Sequence, residues 1–333
     1  MTASTPLRVA VVGAGAIGAY VGAALARGGS EVVLIARGAH LRAMQQNGVR
    51  VLSPRGDFWA HPEATDDFEA VRGAGVVFLS VKANGLPEIA PRLAPLLGPE
   101  TAVIAAQNGI PFWYFQDLDG PWRDWQLETV DPGGRIAAAI GPRRVVGCVI
   151  YCSTEIEAPG VIRHIEGTRY AIGEPDGRIS ERCLRISEAF VAGGLKCPVE
   201  SDLREQIWIK LLGNAAFNPM SALTRATLAG MGRLPEAREV LRAVMEEVSA
   251  VARALGVELS IPIEKRLEGG FKVGEHKTSM LQDVELGRRL ELDCMTGAVV
   301  ELAGRLGIAV PHTRTLYACA KLLDVTLAAQ RAV

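Results

Sequence analysis

Four short apolar runs punctuate the first third of the chain: RVAVV (8–12), EVVLIA (31–36), GVVFLSV (75–81) and TAVIAA (101–106). Each stops at a glycine or a polar residue, and a short unbroken apolar run of this kind is how a strand buried on both faces reads. Helical stretches lie between them, notably 16–28 and 86–97, the second opening beside Pro87. Strands alternating with helices predict a doubly wound, mainly parallel α/β sheet. Further strand signals at 145–155, 160–165 and 168–173 are more antiparallel in pattern, with APG (158–160) as a turn. From about Ser201 helical periodicity runs to the C-terminus, with breaks expected near Gly230, Gly269-Gly270, Gly287 and Gly307. The pattern therefore predicts an α/β N-terminal Rossmann-like doubly wound domain over 1–200 and an all-α C-terminal domain over 201–333.

Composition narrows the class. A chain of 333 residues is long for one core, which agrees with two domains. It is 49% hydrophobic and 22% charged with a formal net charge of -1, a globular balance with no basic surface for nucleic acid or an anionic membrane. The apolar stretch 9–26 resembles a leader, but its recurring glycines fit a strand, turn and helix better. The six cysteines include no CxxC pair and no metal-ligand spacing. No metal is expected, and a reducing cytoplasm suits the thiols.

The first turn carries Gly13, Gly15 and Gly18 as GxGxxG, directly after a strand and opening a helix. In that setting the motif predicts dinucleotide binding. Gly13 makes the tight turn, Gly15 lets the backbone approach a pyrophosphate, and Gly18 lets helix pack on strand. The amides of the first helical turn, from Ala16 and Ile17 to Gly18, then face the phosphates. Arg37 closes the second strand, where an NAD site usually has Asp or Glu. A guanidinium suits a 2′-phosphate, so NADP(H) is expected; taken alone, Arg37 also reads as a solvated surface arginine. Lys82 and Asn108 follow the third and fourth strands, on the carboxyl edge where open α/β folds bind ligands. Asn108 offers both a donor and an acceptor there, or is a turn residue before Gly109.

WIKLLGNAAFNP (208–219) reads as a helix, yet Lys210, Asn214 and Asn218 recur at i, i+4 and i+8 among Leu211, Leu212, Ala215, Ala216 and Phe217. That spacing stacks an ammonium and two carboxamides along one side. Unpaired buried amides are costly, so a small polar substrate is one candidate partner. Reduction of a carbonyl by hydride generates an alkoxide that needs a proton, and a lysine ammonium can deliver it. Interhelical hydrogen bonds are the structural alternative. A second polar cluster, EHKTSMLQDVELGRRLELD (275–293), puts Ser279 and Asp283 on one helical face, ends that helix at Gly287 and begins the next at Glu291. Ser279 can bind a carboxylate oxygen and Glu291 can accept from a hydroxyl or from Lys210. By periodicity alone these are a capped, charged helix pair.

The succession GAGAIG, an arginine ending the second strand, VKA, QNG, KLLGNAAFNP and SMLQD with ELD resembles the ketopantoate reductase (2-dehydropantoate 2-reductase) family over nearly the whole chain. The resemblance implies NADPH-dependent reduction of a 2-oxo acid, ketopantoate to pantoate, on the route to pantothenate and coenzyme A. It implies that Lys210 is the general acid with Glu291 at the substrate hydroxyl. Asn108, Asn214, Asn218, Ser279 and Lys82 match substrate-binding positions. Gly13, Gly15, Ala16, Ile17, Gly18 and Arg37, with Lys82 and Asn108 beside nicotinamide, match cofactor positions. His276 and Leu228 stand where some members have asparagines, and segment 111–134, with three of the five tryptophans, is longer than the usual connection. It is expected to act as a flap over substrate, or as a satellite hydrophobic patch or subunit contact. Two other readings share parts of the pattern: a 3-hydroxy acid dehydrogenase of the 6-phosphogluconate type, and a non-catalytic NADP(H)-sensing module. The sequence leaves the oligomeric state open, a homodimer included.

Overall fold

The computed structural model describes residues 6–331. The chain divides into two compact units. One takes the chain to Gln107, with Phe115–Asp124 and Gly134–Leu203; the other takes Asn108–Tyr114, Trp125–Gly133 and everything from Arg204 onward. Two short pieces of the tryptophan-bearing segment thus belong with the helical unit, a division that a single cut near 200 does not anticipate.

In the first unit the elements run β1 (Arg8–Val12), α1 (Ala16–Arg27), β2 (Glu31–Ile35), α2 (Gly38–Asn47), β3 (Val49–Leu52), β4 (Phe58–Ala60), β5 (Glu63–Thr65), β6 (Val76–Leu79), α3 (Leu86–Leu93), β7 (Ala102–Ala105), α4 (Arg135–Ile140), β8 (Val145–Ala158), β9 (Val161–Gly173) and α5 (Glu181–Ala192). They form one nine-stranded sheet in the order β4-β3-β9-β8-β7-β6-β1-β2-β5. From β5 to β8 every neighbouring pair is parallel. Numbered among themselves those six strands lie 3-2-1-4-5-6, the order whose reversal beside the first strand opens a ligand crevice at the strand carboxyl ends. The four apolar runs form β1, β2, β6 and β7 because Val9–Val12, Val76–Leu79 and Ala102–Ala105 are buried throughout. The later signals fuse into the long antiparallel hairpin β8-β9, with register shifts near Ser153 and Ile156. β3, β4 and β5 hold only three or four residues each, too few for period-two alternation to announce them.

The second unit is helical: α6 (Leu203–Thr224), α7 (Leu228–Arg233), α8 (Pro235–Ala254), α9 (Ile263–Phe271), α10 (Ser279–Glu285), a π-turn (Asp293–Gly297), α11 (Ala298–Leu306) and α12 (Pro311–Arg331). Gly287 and Gly307 do break helices, at φ 63° and 69°. Gly230, Gly269 and Gly270 instead lie inside α7 and α9. Gly270 is there for packing: a Cβ would fall 2.5 Å from the Phe217 ring of α6. No helix among the described residues is long and apolar enough to cross a membrane. All six cysteines are free thiols, and Cys319 on α12 is the exposed one.

Much of segment 111–134 is fixed rather than free. Trp113, Tyr114, Phe115 and Leu127 are buried, and Trp208 Nε1–H donates to the Tyr114 hydroxyl at 2.6 Å. The Glu301 carboxylate on α11 accepts from the Glu128 and Thr129 amides and from the Thr129 hydroxyl, at 3.1, 2.9 and 2.6 Å. Burial raises the Glu301 pKa, but these donors and Arg305 outweigh it, so the carboxyl sits below its ordinary value. A depressed carboxyl stabilises the fold above its unfolded pKa of 4.5 and loses that contribution as pH falls through the lower folded value. Glu301→Gln should therefore cost about 1–2 kcal/mol at neutral pH. The gap to the wild type should close in urea denaturation below about pH 4.

Candidate functional site

The glycine loop is built by contact. Gly13, at φ +95°, lies so close to Val81 that a Cβ would come within 2.6 Å of its side chain and 2.7 Å of its amide nitrogen. A Cβ on Gly18 would meet the Gly13 carbonyl and the Ser80 hydroxyl at 2.5 Å. Ser80 also donates to the Gly13 carbonyl at 3.0 Å, so the end of β6 is clamped onto the loop after β1. Gly15 differs: its Cβ would meet only the Gly13 carbonyl, at 4.0 Å, and otherwise open space. It is the N-cap of α1 and supplies no capping side chain. The first amide to bond back along the helix is Ala19, onto Gly15. The amides of Ala16, Ile17 and Gly18 therefore precede the helical ladder, as anion-binding helix starts require.

Two further features complete this cradle. Arg37 is the exposed N-cap of α2, directly beyond β2, with no acidic partner among the described residues. His40, one helical turn on, accepts the Gly160 amide proton at Nδ1, 3.0 Å. Burial holds its pKa below the usual imidazole value, against the opposing pull of the Ala14 carbonyl, so it remains a neutral acceptor behind the loop. Gln107 was not legible as a structural part of the site. Its Nε2 donates to the Leu79 and Val81 carbonyls at 2.7 and 3.1 Å, pinning the strand end that leads to Lys82. The only signal for it was its place in QNG. Lys82 itself is half-buried and N-caps a short 3₁₀ turn, Ala83–Gly85. A cradle with two glycines that tolerate no side chain, one that opens outward, uncapped amides and a guanidinium at the second strand fits a dinucleotide bearing a 2′-phosphate.

In the helical unit, Lys210, Asn214 and Asn218 do lie on one helix, α6. Lys210 and Asn214 are half-buried and Asn218 is 6% exposed. Gly213 gives α6 its close neighbour: the Arg266 guanidinium of α9 lies where a Cβ would be, and its Nε reaches the Ile209 carbonyl at 3.4 Å. Asn218 Nδ2–H donates to the Met295 sulfur at 3.8 Å, on the π-turn. The same π-turn receives the Asn108 loop, because Ile110 N–H donates to the Cys294 carbonyl at 2.7 Å. Gly109, at φ +81°, is obligatory there, since a Cβ would sit 2.2 Å from that carbonyl oxygen. Glu291, 9% exposed, lies two residues before the π-turn rather than opening a regular helix. Asn108, Asn218 and Glu291 are thus gathered about Asp293–Gly297. Ser279 is exposed at the first position of α10, after the Thr278 cap, and Asp283 one turn on is buried. Among the described residues no hydrogen bond or ion pair draws Ser279 to that gathering. Among the described residues no group of His, Cys, Asp and Glu is arranged to hold a metal.

Comparison with known proteins matches residues 9–112 to the family model "Ketopantoate reductase PanE/ApbA" and residues 202–324 to "Ketopantoate reductase PanE/ApbA C terminal". A 2-dehydropantoate 2-reductase of Mesorhizobium japonicum is 45% identical over 301 residues, 90% of this chain and 92% of that protein. A solved structure from Ralstonia solanacearum has a TM-score of 0.91 at 38% identity, covering 97% of this chain and 99% of the other. A PanE/ApbA family ketopantoate reductase from Ralstonia eutropha gives 0.83 at 30% identity, over 96% and 99%.

The open side of Gly15 separates binding from folding. Gly15→Ala should leave the melting temperature within about 2 °C of the wild type and weaken dinucleotide affinity at least about tenfold by calorimetric titration, because the added methyl occupies the phosphate approach.

Proposed function

This chain belongs to the ketopantoate reductase family, and from that premise we propose that it reduces 2-dehydropantoate to pantoate with NADPH, on the route to pantothenate and coenzyme A in the cytoplasm. The observation that carries the reading is the register of Lys210, Asn214 and Asn218 along α6: a proton donor and two neutral amides on a helix otherwise made for a core. The first unit serves the dinucleotide and the second, which includes the Asn108 stretch, the substrate.

Bound NADPH supplies the hydride that goes to C2 of the 2-oxo acid. As the carbonyl becomes an alkoxide, Lys210 gives its Nζ proton to that oxygen, so the hydroxy acid leaves neutral at C2 and the amine is reprotonated from water. Asn108, Asn214 and Asn218 orient the carboxylate and the distal hydroxyl without adding charge that would compete with the ammonium. Ser279 binds a carboxylate oxygen, and Glu291 accepts from the substrate hydroxyl or from Lys210. Lys82 adds positive charge beside nicotinamide and substrate carboxylate. On the cofactor side, Arg37 binds the 2′-phosphate, while Gly13, Gly15 and the amides of Ala16, Ile17 and Gly18 take the pyrophosphate. Segment 111–134, whose middle stretch 116–126 is partly exposed, is read as a flap over the bound substrate.

NADPH oxidation against a panel of 2-oxo acids, with NADH in parallel, tests the reading. Ketopantoate with NADPH should give the highest kcat/KM. Turnover with no 2-oxo acid, despite NADPH binding, would refute it. Lys210→Ala should lower kcat by about 10²–10⁴ with NADPH affinity unchanged. Arg37→Gln should reduce the preference for NADPH over NADH by at least about tenfold, since a charge-assisted bidentate contact is lost.

A further inference from the structure

Glu291 lies between two anchors on the same long helix. On its N-terminal side, the buried Asp324 of α12 accepts the Leu290 amide proton at 3.0 Å and the Arg289 Nε–H at 3.1 Å. On its C-terminal side, Asp293 accepts from the Tyr317 hydroxyl at 2.7 Å and from Lys321 Nζ at 2.7 and 2.6 Å. Tyr317, Lys321 and Asp324 fall at i, i+4 and i+7, one face of α12. Burial and the adjacent Asp293 carboxylate both raise the Tyr317 pKa, which keeps the phenol a donor.

The turn so anchored is the π-helical one. Five residues in i→i+5 register are rare, and single π-turns of this sort concentrate where function needs a displaced backbone. Here the displacement has visible products. Cys294 directs its carbonyl at Ile110 N–H, and Met295 offers its sulfur to Asn218. Gly297 approaches the Tyr317 ring so closely that a Cβ would stand 3.1 Å from it. Burial pushes the pKa of the Cys294 thiol up, and the thiol donates to the Glu291 carbonyl at 3.7 Å, a second tie between the π-turn and Glu291.

We propose that Asp293 is a positioning residue for the reduction: clasped by Tyr317 and Lys321, it fixes the π-turn that sets Glu291, the Asn108 loop and Asn218 in one geometry. It touches neither substrate nor cofactor; it acts through the Cys294 carbonyl and the Met295 sulfur. The proposal rests on the reductase reading for its catalytic consequence, but the mechanical link between residue 293 and residue 110 does not.

The test therefore has two arms. Amide exchange reads the Ile110 N–H in wild type, Asp293→Ala, Asp293→Asn and Tyr317→Phe, each checked by thermal melting. Asp293→Ala should exchange at Ile110 at least about tenfold faster than wild type, with amides of β1 and β6 unchanged. Asp293→Asn, which still accepts hydrogen bonds, should restore most of the protection, and Tyr317→Phe should fall between. In steady-state kinetics Asp293→Ala should lose about tenfold in kcat, with NADPH affinity unchanged and Asp293→Asn largely rescued. Unaltered Ile110 exchange in Asp293→Ala and Tyr317→Phe overturns the proposal. So does faster exchange with undiminished kcat. A wild type inactive on every 2-oxo acid counts against the reductase reading alone, and the exchange arm then decides the link.

Discussion

Finding partners for the polar groups of α6 that burial withdraws from water is the constraint around which much of the helical unit is arranged. Helix α6 carries Lys210, Asn214 and Asn218 among side chains that are fully buried, including Leu212, Ala215 and Ala216. An amide so placed costs roughly 1–3 kcal/mol if it finds no partner. Asn218 meets this demand with a soft acceptor, the Met295 sulfur. The rest of the unit follows from holding that arrangement still: Arg266 over Gly213, Phe217 against Gly270, and α12 behind the turn that carries Met295.

The sheet solves a different problem with the same economy of atoms. Its parallel order brings the ends of β1, β2 and β6 to the switch point, and glycines then remove the side chains that would hold them apart. Gly13 and Gly18 are fixed by what already touches them, Val81 and Ser80. Among the described residues Gly15 meets nothing closer than the Gly13 carbonyl at 4.0 Å, which leaves its outer side open to a dinucleotide.

What could be read from the chain beforehand divides along these lines. β1, β2, β6 and β7 were legible because burial on both faces leaves an unbroken apolar run. The glycine loop was legible because its spacing is imposed by a turn, an approach and a packing contact in fixed sequence. The stripe on α6 was legible because three polar residues at helical spacing contradict their neighbours. The π-turn was not, since i→i+5 register depends on tertiary anchors: Asp293 meets Tyr317 and Lys321 across more than twenty residues. The helices through Gly230 and Gly270 were hidden for a related reason. Glycine lowers helix propensity locally, while the ring of Phe271 against Gly232 and that of Phe217 against Gly270 supply the packing that overrides it. Likewise, the tie between Glu301 and Thr129, 172 positions apart, made part of an apparent flap a fixed strap.

The distribution of thiols along the chain has a practical corollary. Cys183, Cys197 and Cys294 are buried with pKa values raised by desolvation, Cys148 is buried, and Cys152 is half-buried. Cys319 alone is exposed, on α12 between Tyr317 and Lys321 in sequence. A maleimide dye added at neutral pH would therefore settle on one position of the untouched wild-type chain. Its fluorescence would report from the very helix that braces Glu291, with no engineered cysteine required.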